Sequence, residues 1–243
     1  MMTLLRPRRQ LHSLGLFFLS LSLAACTSRP AADATPASVE GGEKRLPTGA
    51  RLDPAGRLVD VMPLPLALLA APDGDALVLL ASGYLEQGIQ VIDRATGAVR
   101  QSIPQRSAFV GLAFARDGRS LWASGGNEDL VYRYGWENGR ATLADSVRLS
   151  PVVRDSLGRP IRSPGVRYPS GLAASADGRL LYIAENLADS LAVLDIASGR
   201  IVQHLATGKY PYAVAAAPNG DVFVSVWGGS TIAVFRQTAD QKW

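Results

Sequence analysis

Two clusters of oxygen-bearing side chains stand out for their chemistry: Asn127-Glu128-Asp129, and Glu185-Asn186 followed by Asp189. Carboxylates and amides at such spacing are ligands for a hard cation such as Ca²⁺, and they are equally at home in solvated loops. Lys209-Tyr210-Pro211-Tyr212 sets a cation among aromatic rings, suited either to gripping a carboxylate or phosphate or to packing at a structural junction. The only histidines are His12 and His204 and the only cysteine is Cys26, which restricts histidine-based catalysis and excludes an internal disulfide. The chain has no Gly-x-Ser-x-Gly elbow, no Gly-x-x-x-x-Gly-Lys-Ser/Thr loop and no His-Glu-x-x-His pair. The sequence therefore assigns no catalytic residue, no metal site and no cofactor.

The elements that must position these residues recur along the chain. Four stretches align without gaps: Ala67–Gly74, Gly111–Gly118, Gly171–Gly178 and Ala213–Gly220. Each begins with small residues, suited to a crowded innermost strand, and ends in Asp-Gly or Asn-Gly, which supplies the positive φ of a tight hairpin turn. Apolar strands follow at Leu77–Ala81, Leu121–Ser124, Leu180–Ala184 and Val222–Val226, and third strands at Ile89–Asp93, Leu130–Tyr134, Leu191–Asp195 and Thr231–Phe235. More polar fourth strands are expected at Ala98–Ile103, Ala141–Leu149 and Ile201–Leu205. A four-stranded unit repeating every 40-odd residues predicts an all-β fold, a β-propeller of four-stranded antiparallel blades.

Turn spacing locates the irregular part. Gly74 to Gly118 is 44 residues and Gly178 to Gly220 is 42, but Gly118 to Gly178 is 60, and the surplus falls in the Pro- and Arg-rich stretch Ser150–Pro169. That composition predicts a long surface loop. In a meander, the loops between second and third strands share a face with the connections between blades. This face collects Tyr84, Arg106, Asn127, Glu128, Arg167, Tyr168, Glu185, Asn186, Lys209, Tyr210, Tyr212 and Trp227, the candidate ligand-binding residues. Asp73, Asp117 and Asp177 belong to the opposite face as turn formers, and His204 is expected at the surface of an outer strand.

Gly56–Val61 resembles an outer strand. It either completes the unit begun at Ala213, closing a four-bladed ring, or marks the start of a ring of about seven blades of which this chain holds three complete blades and a partial fourth.

The formal charge of +4 is concentrated at the N-terminus, where Arg6, Arg8 and Arg9 precede any acid; beyond residue 25 the count is 22 basic against 21 acidic. That balance gives no basis for nucleic-acid binding. Residues 1–25 join those arginines to an apolar run, Leu11–Leu23, too short to span a bilayer comfortably, and read as a secretory signal peptide. Leu23-Ala24-Ala25-Cys26 resembles the bacterial lipobox, which implies acylation of Cys26 and anchoring to a lipid bilayer. Thr27 after the cysteine favours the outer membrane, facing the periplasm, by the same resemblance. Residues 26–49, rich in Ala, Pro, Ser, Thr and Gly, read as a flexible tether before a propeller spanning 50–243.

Ser198–Gly220, with Leu181-Tyr182-Ile183-Ala184-Glu185-Asn186, resembles the repeat of YVTN-type (YncE-like) β-propellers, and the resemblance covers about residues 56–236. It is similar to the N-terminal propeller of bacterial proteins that carry a downstream alkaline-phosphatase-superfamily domain. That resemblance implies a fused C-terminal phosphatase-like partner, although no phosphatase nucleophile or metal ligand occurs in this chain. Two functions are open. One is a membrane-tethered binding or scaffold module whose loop face meets a ligand or protein. The alternative resembles calcium-dependent lactonase propellers and needs Glu185, Asn186, Asn127 and Glu128 to converge on one cation.

Overall fold

The computed structural model describes residues 44–45, 48, 51–52, 56–151, 154–159, 161, 166–238, 240 and 242–243. The expected signal peptide, Cys26 and most of the expected tether lie outside these. The chain divides into two units, Met1–Gly56 and Arg57–Trp243. In the first, β1 (Lys44–Arg45) pairs antiparallel with β2 (Arg51–Leu52).

The second unit is a β-propeller arrangement of four antiparallel meanders. Blade 1 comprises β3 (Pro65–Ala70), β4 (Ala76–Ser82), β5 (Gln87–Asp93) and β6 (Val99–Pro104). Blade 2 comprises β7 (Leu112–Phe114), β8 (Ser120–Ser124), β9 (Leu130–Glu137) and β10 (Arg140–Arg148). Blade 3 holds β11 (Pro169–Ala174), β12 (Leu180–Glu185), β13 (Ser190–Asp195) and β14 (Arg200–Ala206). Blade 4 holds β15 (Pro211–Ala216), β16 (Val222–Val226) and β17 (Thr231–Phe235), with no fourth strand among the described residues.

The turns form for the local reasons their sequences carry. Gly74, Gly118, Gly178 and Gly220 take φ of 79°, 65°, 76° and 90°, which a β-carbon would strain. Asp117 Oδ1 accepts from the Arg119 amide at 2.8 Å, and Asp177 Oδ1 from the Arg179 amide at 3.0 Å. At the second kind of turn, Asp93 accepts from the Thr96 amide at 2.7 Å and Asp195 from the Ser198 amide at 2.8 Å. Those amides, with the Arg100 side chain at Asp93 and the Ser198 hydroxyl at Asp195, hold both carboxyls below the usual range.

The core lies between blades. Val78, Leu80, Ile89 and Val91 of blade 1 pack on Leu112, Leu121, Tyr134 and Trp136 of blade 2. Trp122 and Val131 of blade 2 meet Leu172, Leu181, Ile183 and Leu194 of blade 3. The far side of blade 3, with Tyr182, Leu191 and Val193, covers Val222 and Val224 of blade 4. Middle strands are thus buried on both faces and read as continuous apolar runs rather than alternating ones. Inner strands approach backbone to backbone. A β-carbon on Gly111 would collide with the Ser170 carbonyl, and one on Gly171 would lie 2.5 Å from the Tyr212 carbonyl.

Two sequence expectations are corrected. Residues 57–61 are not a strand and complete no blade. They run beside blade 1, where Arg57 Nη2 reaches the Ala95 carbonyl at 3.5 Å and Val61 and Met62 pack on Leu77, Leu79, Ala81 and Ile92. The Met62 amide donates to the buried Gln90 side chain at 2.8 Å, so a side-chain acceptor, not a ladder, holds this segment. The loop expected to end at Pro169 ends at Tyr168, because Pro169 already opens β11 and is buried.

Candidate functional site

The β4–β5, β8–β9, β12–β13 and β16–β17 turns share a face with the segments leading into each blade. Those lead-ins are built alike. Tyr168 and Tyr210 sit at φ 54° and 58° directly before Pro169 and Pro211, and Leu64 at 53° before Pro65. A non-glycine residue in this region costs about 1–3 kcal/mol and persists only where its surroundings over-determine it. At Tyr168 and Tyr210 the surroundings are carboxylates from the preceding blade. Asp129, buried and itself left-handed, accepts the Val166, Arg167 and Tyr168 amides at 3.0, 3.0 and 2.9 Å. Asp189 accepts the Tyr210 amide at 3.2 Å and Lys209 Nζ at 2.5 Å. The Lys209 side chain, then the Tyr210 amide, hold the Asp189 carboxyl below its usual range, and Asp189 raises the Lys209 ammonium.

Aromatic rings gather where the inner strands begin. Phe109 of the blade 2 lead-in stands edge-on to Tyr168 (centroids 5.0 Å) and to Tyr212 (5.8 Å), joining three blades. Tyr210 lies 6.5 Å from Trp227, whose ring is 74% exposed. Tyr212, Ser225, Val226, Trp227, Ser230 and Thr231 line a cavity of about 560 Å³. Tyr84 projects from the β4–β5 turn at 97% exposure. Arg106 lies 4.0 Å from Glu128, which with Asn127 forms the short 3-10 turn Gly126–Glu128.

Glu185 lies beneath the surface of the expected binding face. It is fully buried, and Oε2 accepts from Ser190 Oγ at 2.6 Å and Arg167 Nη1 at 2.9 Å, with His204 Nδ1 at 2.8 Å. His204 Nδ1 also lies 3.3 Å from Arg167 Nη1, so the three side chains form one cluster. His204 is on the outer strand β14 as expected, but partnered rather than bland. Asn186 Nδ2 donates to the Pro211 carbonyl at 3.0 Å. At Glu185 only Oε2 is turned toward Ser190, His204 and Arg167, while Oε1 is buried without a hydrogen-bond partner. Among the described residues, no three His, Cys, Asp or Glu side chains form a metal-binding group.

Sequence reasoning missed Phe109, Ser190 and the partners of His204, and took Asp129 and Asp189 as cation ligands or solvated loop acids rather than as acceptors for backbone amides. One signal was available: the X-Pro pairs before the inner strands of blades 3 and 4 recur in register with those acids. Glu185 also breaks the repeat, since the ladder positions equivalent to it are Ala81 and Val226.

No family model matches the chain, and no curated protein sequence matches it. Solved structures do. The hydrazine synthase of Kuenenia stuttgartiensis is 19% identical over 72% of this chain and 59% of its own, with a TM-score of 0.55. The WD40 repeats of RRP9 are 19% identical over 74% and 53%, with a TM-score of 0.55. The periplasmic gluconolactonase PpgL of Pseudomonas aeruginosa is 22% identical over 73% and 51%, with a TM-score of 0.57. The chain is a β-propeller. At these identities the likeness is one of fold, and the chain spans between 51% and 59% of the length of these three.

Proposed function

We propose that this propeller is a binding or scaffold module, tethered to the bacterial outer membrane through acylated Cys26 and facing the periplasm, with the loop face as its working surface. The observation that carries the reading is the state of its polar groups. Asp129 and Asp189 on this face are consumed in holding the lead-in segments, whereas Tyr84, Tyr210 and Trp227 remain exposed on a rigid frame. Rigid aromatics with few rotors are suited to recognition. Glu185, engaged by Arg167, Ser190 and His204, supports a binding role over a cation-dependent hydrolase.

The test is photo-crosslinking in the cell envelope from a benzophenone side chain at position 84, 210 or 227, against the exposed positions 96, 119 and 197 of the opposite face. Cross-links confined to the first set are expected, and equal yields from both sets would refute the assignment. Cys26→Ala should move the protein out of the membrane fraction; unchanged fractionation would refute the anchor.

A further inference from the structure

We propose that the loop face docks on the lipid bilayer itself, its apolar tips entering the headgroup region. This deepens the preceding reading and rests on it: a tethered protein with that face as its working surface.

The two faces of the blades differ sharply in side-chain chemistry. On the loop face, Tyr84 and Leu85 tip the β4–β5 turn at 97% and 88% exposure, Leu187 lies in the β12–β13 turn at 50%, and Trp227 in the β16–β17 turn at 74%. The lead-ins to blades 3 and 4 add Val166 and Tyr210. On the opposite face, the Asp-Gly, Asn-Gly and Asp-x-x-x-Gly turns themselves contain none of the large exposed hydrophobic residues, and those beside them, Leu58 and Val59, belong to the segment that runs past Gly97.

Folding does not require this asymmetry. The equivalent turn of blade 2 is made with Gly126, Asn127 and Glu128, so its geometry needs no apolar tip. Trp and Tyr favour the membrane–water interface, where an apolar ring and a polar edge are both satisfied, and Leu gains by leaving water. Cations on the face lie beside acids: Lys209 on Asp189, Arg167 on Glu185, Arg159 on Asp155, and Arg106 4.0 Å from Glu128. Attraction to anionic headgroups is therefore weak, and contact rests on apolar burial that salt does not screen.

The full chain in phosphatidylethanolamine–phosphatidylglycerol vesicles, checked by flotation, provides the test. A polarity-sensitive fluorophore is placed on Leu85→Cys or Thr96→Cys, with the unsubstituted chain as labelling blank for Cys26. The probe at 85 should shift to the blue and be quenched by a lipid-borne quencher, unchanged in high salt, while the probe at 96 stays aqueous. Tyr84→Ala with Trp227→Ala should lower the quenched fraction at 85 by about tenfold or more. If the chain floats but the probe at 85 stays aqueous, docking is overturned while the tether stands. If it fails to float, the tether falls as well. A quench at 85 that high salt abolishes, or one matched at 96, overturns the apolar face as the cause.

Discussion

Gly171→Ala tests the close approach of neighbouring inner strands most directly. A β-carbon there would lie 2.5 Å from the Tyr212 carbonyl oxygen, 2.7 Å from Ala213 Cα and 2.9 Å from Val214 N. Favourable carbon contacts lie near 3.5–4.0 Å, so β15 would have to retreat by about 1 Å. All three atoms are backbone and cannot rotate away. β15 is also held by its ladder to β16 and by the Ser170 hydroxyl on the Pro211 carbonyl at 3.2 Å. Overpacking of this kind costs about 1–3 kcal/mol, and a weakened ladder bond brings it to about 2–4 kcal/mol. For a domain of this size that corresponds to a fall in Tm of about 5–12 °C. Gly135→Ala is the matched control. Its β-carbon would meet only the Thr142 carbonyl, at 3.9 Å, so reduced freedom of the unfolded chain should stabilise by about 0.4–1 kcal/mol. Calorimetric melting of both variants decides the matter. A Gly171→Ala protein melting within about 2 °C of the parent would refute backbone packing between blades 3 and 4.

Asp129→Ala should cost about 2–4 kcal/mol, because three amides lose a charged acceptor, with faster amide exchange at Val166–Tyr168 as the local readout. Arg167→Leu should destabilise more than Glu185→Leu in urea titrations, since the first strands a buried carboxylate while the second restores the apolar character of Ala81 and Val226. The carboxyls of Asp93, Asp177 and Asp195 are depressed by amide and side-chain donors, so their contribution is present above the unfolded value of about 4 and declines as pH falls below it. Asp195→Asn should accordingly melt below the parent at pH 7, the gap narrowing under acid; a constant gap between pH 7 and pH 2 would count against the turn carboxylate. Trp227→Ala should change stability by less than about 0.5 kcal/mol, its side chain being mostly in water, yet weaken cross-linking from position 210.

Strand positions were legible because they are punctuated locally. Asp117-Gly118 and Asp177-Gly178 carry in adjacent residues both the positive φ and the acceptor that a tight turn needs, and the apolar runs between such turns could only be strands. The grouping of Tyr168, Lys209, Tyr210 and Trp227 on one face followed from the meander alone. Residues 56–61 misled because an apolar-polar segment reads as a strand whether or not an edge is free to receive it. What it found was the side of blade 1 and the Gln90 carboxamide.

The amino-acid sequence by itself determined the blade, its order of strands and the face each loop occupies, all of which depend on turn chemistry and on alternation over a few residues. Only the tertiary structure decided what the loop acids do. Asp129 meets amides 37 to 39 positions away, and Glu185 meets Arg167 and His204 across 18 and 19 positions. A carboxylate has the same composition whether it faces water, a cation or three amides. Its partner is set by which blade packs beside it, and no local pattern records that.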